Sequence, residues 1–316
     1  MQVEVSDQVI NDLDLLNEVL DQLLAFKTKH RISFNSYTKI INNDNVHEGL
    51  RETFKALFEI TSSLIKFKRS ITVVAENANN NDEVTVEKLH DVLSEKAIVI
   101  VENEHHDKEF INVLLASSKR GPNLNKLERT LWCIRGSGGC GGMPKLIEKC
   151  SEEQWGVSRI LVVYDSDKFH RSYPVPQIQD KIQEKAIEFR ADHVMLAKRE
   201  IENYIPVSVL TKIFGQADSR VKIYSTWSQE QRDFFDLKSG FHSKCHFDDG
   251  RYNNLYGNLH SSHVESFKNV GFGEDIASQA FSEEYKAEFK STKLALSDPS
   301  INQEFDNVKQ KLLHIL

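Results

Sequence analysis

Apolar positions along this chain change rhythm near residue 96. Between Ser6 and about Arg69 they recur at steps of three and four. Val9, Ile10, Leu13, Leu16, Leu20, Leu23 and Leu24 follow Ser6-Asp7 as a cap; Leu50, Phe54, Leu57, Phe58, Ile60, Leu64 and Ile65 form a second stripe. That period predicts amphipathic helices, the second over 47–68. Glu76-Asn77-Ala78-Asn79-Asn80-Asn81-Asp82 is a polar loop and the candidate domain boundary, with a short helix over 84–94 after it. Residues 1–90 are therefore expected to be a helical region that serves packing or partner binding and carries no chemistry.

Ala97-Ile98-Val99-Ile100-Val101 is a continuous β-branched run, the pattern of a strand buried on both faces. Thr130–Ile134, Arg159–Tyr164 and His193–Ala197 read as three more strands, with helices predicted over 107–117, 143–150 and 177–190. Strands alternating with helices imply right-handed crossovers and a four-stranded, mostly parallel sheet over 96–215. Residues 216–316 read as mainly helical.

The loops at the carboxyl ends of parallel strands lie side by side. Here strand one runs into Glu102-Asn103-Glu104 and strand three into Asp165-Ser166-Asp167. Strand four is followed, after Lys198-Arg199, by Glu200-Ile201-Glu202, and strand two by Gly136-Ser137-Gly138-Gly139-Cys140-Gly141-Gly142. With 47 acids in 316 residues, an acid-x-acid triplet at a chosen spot has a chance of about 2%. Three such triplets at three strand ends therefore ask for a shared role. Clustered oxygen ligands with few histidines or thiols suit a hard ion, Mg²⁺ or Mn²⁺. Such an ion assists in-line phosphoryl displacement. Asp107 reads first as a helix cap, and Glu104 and Glu202 either join the site or face solvent. The glycine-rich segment matches no established phosphate loop, although a turn entering a helix can present N–H groups to a phosphate.

Composition narrows this picture only slightly. A net charge of −7 argues against constitutive high-affinity DNA binding but is compatible with an acidic, cation-holding active site. The chain has no apolar run long enough for a membrane span, and its start does not read as a signal peptide. The four cysteines read as reduced thiols of a cytoplasmic protein.

The order of an apolar strand ending in Glu102, a glycine-rich second loop and a strand ending in Asp165-Ser166-Asp167 resembles the Toprim fold shared by topoisomerases, DnaG-type primases and OLD-family nucleases. Lys198-Arg199-Glu200-Ile201-Glu202-Asn203-Tyr204-Ile205-Pro206 is similar to the element after the last Toprim strand in OLD-like, defence-associated proteins. Phe235–Gly240 and Gly271–Ala277 match that group's C-terminal region more loosely. The resemblance implies a Toprim-like α/β domain flanked by helical N-terminal and C-terminal regions. It also implies a metal-dependent endonuclease acting on DNA before RNA, as an effector of antiviral defence. Glu102 would act near the scissile phosphate as ligand or general base. Asp165 and Asp167 would hold the ion, Glu200 or Glu202 would complete the site, and Lys198, Arg199 or Lys238 would steady developing charge. Asn103 stands where the family pattern has glycine, which leaves Glu102 and Glu104 as alternatives for the principal ligand; Glu102 ends the strand directly. No P-loop is present, so ATP-driven control would come from a separate ATPase or sensor subunit, and assembly into an oligomer is compatible with the resemblance. The alternative is a non-catalytic Toprim-like subunit that binds or regulates such a partner.

His105-His106 is expected to be structural or solvent-facing. His242-x-x-Cys245-His246 lacks the ligand count of a zinc site. Trp132, Trp155 and Trp227 are expected to pack, and neither Tyr164 nor Tyr204 is placed as a covalent nucleophile.

Overall fold

A computed structural model describes residues 1–64, 67–117, 121–154, 157–242, 247 and 250–316. It contains two four-stranded sheets, every strand parallel to its neighbours. The first is β1 (Gln2–Val5), β2 (Arg31–Ile32), β3 (Ser70–Val74) and β4 (Glu83–Thr85), in the order β2-β1-β3-β4. The second is β5 (Ala97–Val101), β6 (Trp132–Gly136), β7 (Ile160–Tyr164) and β8 (Asp192–Met195), in the order β6-β5-β7-β8. Both sheets thus place their second strand outermost and their first strand beside it.

The first sheet corrects the expectation of a purely helical N-terminal region. Its helices are there: Asp7–Asn11 with Ser6 as cap, Leu13–Ala25, Phe34–Ile41, and Glu48–Ser62 with His47 as cap. The strands between them span only two to five residues each. Their period-two signal, such as buried Val3 and Val5 flanking Glu4, is too short to stand out among helices of up to 15 residues. The polar loop over 76–82 joins β3 to β4 within this sheet and so is not a boundary between units.

The second sheet follows the sequence reading closely. β5 and β7 are buried along their whole length because helices cover both faces. Glu104–Ala116 packs on one face; Met143–Glu153 and Gln177–Glu188 lie on the other, around Ile98, Ile100, Ile160 and Val162. Short helices and irregular segments make up the described residues from 205 to 298, and the helix Pro299–Ile315 follows them. Their aromatic residues extend the first of these two cores. Arg159 ties the parts together, donating to Glu95 O and Ile315 O while fully buried. Among the described residues no helix is long and apolar enough to cross a membrane. Cys133, Cys140 and Cys150 are free thiols; Cys245, His246 and Trp155 lie outside the described residues.

Candidate metal and phosphate site

Strand order decides where the acids meet. The chain leaves β5 for β6 on one side, then returns across β5 to β7 on the other. At such a switch point the loops diverge and leave a crevice at the carboxyl ends. Glu102 and Asp165 flank it, because β5 and β7 pair directly through Ile100 and Val162. The Asp165 N–H donates to Glu102 Oε1 at 3.2 Å, so the two acidic loops touch. The Gly138 and Gly139 N–H groups both donate to Glu102 O at 3.0 Å. Those two glycine-loop donors therefore anchor Glu102 and are not left for a phosphate. Both glycines have positive φ, a conformation side-chain-bearing residues rarely adopt.

Asp167 reaches the same rim through a left-handed backbone (φ 51°), with its N–H on Arg199 O and its carboxylate accepting from Gln179. Ser166, fully buried, donates to Lys198 O at 2.7 Å and so joins the Asp-x-Asp loop to the segment after β8. That segment turns into the short 3-10 helix Ile201–Tyr204, which brings buried Glu200 and Glu202 beside the rim. Lys238 Nζ stands 3.4 Å from both Glu200 Oε2 and Glu202 Oε1. Arg199 Nε lies 3.1 Å from Glu200 Oε1, and its Nη2 3.6 Å from Asp236.

Burial and mutual repulsion shape the charge of this group. Burial first, then the neighbouring charge of Asp167, raises the Glu102 carboxyl to about 7. Burial likewise brings Glu202 to about 7, although Lys238 opposes the shift. Asp165 is pushed well above the usual carboxylate range by burial and then by Glu102, Glu202, Asp107 and Glu200. Asp167 and Asp236 are raised chiefly by burial. Asp165 Oδ1 and Glu202 Oε2 are buried with no hydrogen bond among the described residues, whereas Glu200 Oε2 meets the Lys238 ammonium at 3.4 Å. Unsatisfied oxygens of this kind are the donor set a hard cation takes. As they stand, however, no three His, Cys, Asp or Glu side chains among the described residues converge on one ion position. The fit is thus one of chemistry and neighbourhood, and coordination would require side-chain rotation.

Three expected residues are placed differently. Lys198 turns away from the rim. Its ammonium pairs with Asp233 at 2.7 Å and Asp298 at 2.8 Å, donates to Asn203 O, and is almost completely buried. Glu104 is exposed and leans toward Gly136 N on the β6 side, because it starts the helix rather than ending the strand. Glu102 therefore takes the principal position. Asp107, expected as a cap, does accept the Asn103 N–H at 2.9 Å, but it is also half-buried beside the group and its charge raises Glu102 and Asp165. A carboxylate five residues after Glu102 was the only signal for it.

Lys238 owes its place to two loosely matching segments that dock on each other. Phe272 N donates to Leu237 O at 2.7 Å and Gly273 N to Lys238 O at 3.3 Å. A Cβ at Gly271 would sit 2.3 Å from Lys238 O, so glycine alone permits the contact. Tyr204 is buried with its hydroxyl on Glu304, and Tyr164 lies within β7, so neither is offered as a nucleophile. Breaking the buried Lys198 pairs strands two carboxylates. Lys198→Ala should cost about 3–5 kcal/mol in urea unfolding, and a loss of activity without a loss of stability would contradict this placement.

Comparison of the chain with family models, with curated proteins and with solved structures finds no match.

Proposed function

We propose that the chain is a Toprim-like, divalent-metal-dependent nuclease that hydrolyses phosphodiester bonds of DNA or RNA in the cytoplasm. The observation that carries this reading is the meeting of Glu102, Asp165, Asp167, Glu200 and Glu202 at the switch point of a parallel sheet, with Asp165 Oδ1 buried and unsatisfied. Among the described residues, the carboxyls of Glu102, Asp107, Asp165, Asp167, Glu200, Glu202 and Asp236, all half-buried or buried, lie around the cations of Arg199 and Lys238. Acids crowded in this way are stable only if protons or a cation offset their repulsion.

Mg²⁺ or Mn²⁺ would be held by Asp165, Asp167, Glu200 and Glu202, supplying charge neutralisation and polarisation of the phosphate when bound. Glu102 keeps one oxygen on the Asp165 N–H, which fixes the carboxylate and leaves its other oxygen to accept a proton from the attacking water. Arg199 and Lys238 carry positive charge at the rim and would stabilise the extra negative charge of the transition state. The resemblance further implies a role in antiviral defence under a separate ATPase.

A second reading, a non-catalytic subunit, is favoured by one observation: Lys238 already bridges Glu200 and Glu202 and can serve as a resident counter-charge. Incubation with supercoiled plasmid and tRNA in Mg²⁺ and Mn²⁺, beside Glu102→Gln, separates the two. Metal-dependent cleavage lost in the variant is the expected result. Equal cleavage by the variant would remove Glu102 from the chemistry, and no cleavage by either protein would favour the second reading.

A further inference from the structure

A fully buried glutamine is hydrogen-bonded to the acidic rim. The loop after β7 closes on Pro176, whose extended backbone leads into the helix Gln177–Glu188. A helix that follows a parallel strand starts at that strand's carboxyl end, so its first turn lies on the side of the sheet where the acids gather. Gln179 belongs to this turn, with its N–H on Pro176 O at 3.0 Å. Ile182 and Ala186 share its face of the helix and pack into the core around Ile98 and Val162. An apolar side chain would suit such surroundings better than an amide, which costs free energy unless its hydrogen bonds are made.

Those bonds are made at one end only. Nε2 donates to Asp167 Oδ2, while Oε1 is buried with no hydrogen bond among the described residues. The buried amides of Gln154 and Gln231 differ, because each both donates and accepts. The half-made set thus falls where the chain meets the proposed ion. Mg²⁺ keeps several waters when a protein holds it, and water is the kind of donor that Oε1 lacks. Asp167 is already held by its left-handed backbone and by its N–H on Arg199 O. Carboxylates that ligate a metal are in turn hydrogen-bonded, which fixes how they are presented. With Oδ2 on Gln179, Oδ1 is the oxygen left for a cation, and the rotation needed for shared coordination falls to the other acids.

We infer that Gln179 is a positioning residue of the rim, whose amide fixes Asp167 through Oδ2 so that Oδ1 alone meets a divalent cation. The inference rests on the metal site of the nuclease reading, and in it Gln179 acts only through Asp167.

The test uses the full chain without nucleic acid and counts free Mn²⁺ by electron paramagnetic resonance, beside melting in EDTA. Gln179→Met keeps the length and flexibility of the side chain but has no amide. It should weaken Mn²⁺ binding about ten- to a hundredfold, the scale for losing the partner of a metal-ligating group. In the plasmid assay the half-saturating Mg²⁺ concentration should rise by the same factor, with the rate at saturating Mg²⁺ close to the parent's. Mn²⁺ affinity of the folded variant within about twofold of the parent's overturns the proposal, whether or not the variant melts lower. Tighter binding also overturns it, since the amide would then hold Asp167 back from the ion. If Gln179→Met does not fold, Gln179→Leu is read by the same criteria. Asp165→Asn keeps the two failures apart. Mn²⁺ binding lost in Asp165→Asn but parent-like in Gln179→Met sinks the positioning role and leaves the metal site. Binding indifferent to Asp165→Asn sinks the metal site and the positioning role with it. Binding weakened in both variants of a protein that never cleaves plasmid keeps the positioning role and sinks the nuclease.

Discussion

Asp165→Asn is expected to reduce Mg²⁺-dependent plasmid cleavage by at least about a thousandfold, the scale expected when a central metal ligand is removed. In EDTA the same change is expected to raise the melting temperature. An amide keeps the shape of the carboxylate but carries no charge to bury beside Glu102, Glu202, Asp107 and Glu200. The sign of the pH dependence follows from the raised pKa. Folded protein holds this proton more tightly than unfolded chain, so the group contributes most to stability below its unfolded value, and that contribution is lost as pH rises toward the folded value. The gain from the variant should therefore grow from pH 5 to pH 8 and vanish only below the ordinary aspartate value of about 3.9. Calorimetry over that range, paired with a nicking assay, tests both halves. A variant that still cuts, or that melts lower than the parent in EDTA at pH 8, would contradict the placement of Asp165 at the centre of the repelling group.

Addition of Mg²⁺ or Mn²⁺ should stabilise the parent protein by the free energy of binding to the folded state alone. At a hundred times the dissociation constant this is about 2.7 kcal/mol, or a rise of roughly 4 °C for a chain of this size. The rise should be larger at pH 8 than at pH 6, because Glu102 and Glu202, both raised to about 7, hold protons at the lower pH that a cation must displace. Asp165→Asn should abolish most of it. A rise of equal size in that variant, or one independent of pH, would place the bound cation elsewhere; no rise in the parent would favour Lys238 as the permanent counter-charge.

Much of the second sheet was legible in the sequence because its signals are long or redundant. Ala97–Val101 is five buried β-branched or small residues, a pattern that serves little except a central parallel strand. Acid triplets at strand ends identified Glu102, Asp165, Asp167, Glu200 and Glu202, since parallel topology brings carboxyl ends together whatever the loop details. The first sheet escaped notice because strands of two to five residues carry too little periodicity to compete with flanking helices. Arg31-Ile32 is a strand only because Gln2 and Val3 lie beside it.

What the sequence determined by itself is the kind of group gathered: oxygen donors in excess, at loops that a parallel sheet must bring together. Only the tertiary structure decided which side chains reach the rim. Lys198 and Lys238 look equally suitable on paper, yet Lys198 is drawn into the interior by Asp233 and Asp298 while Lys238 is carried to the rim by the docking of Gly271–Gly273. Glu104 and Asp107 differ by less than one helical turn, which is enough to send one outward and turn the other, half-buried, toward the rim. Side-chain direction depends on the angle at which a helix leaves its strand and on partners up to a hundred residues away, and neither is encoded in local spacing.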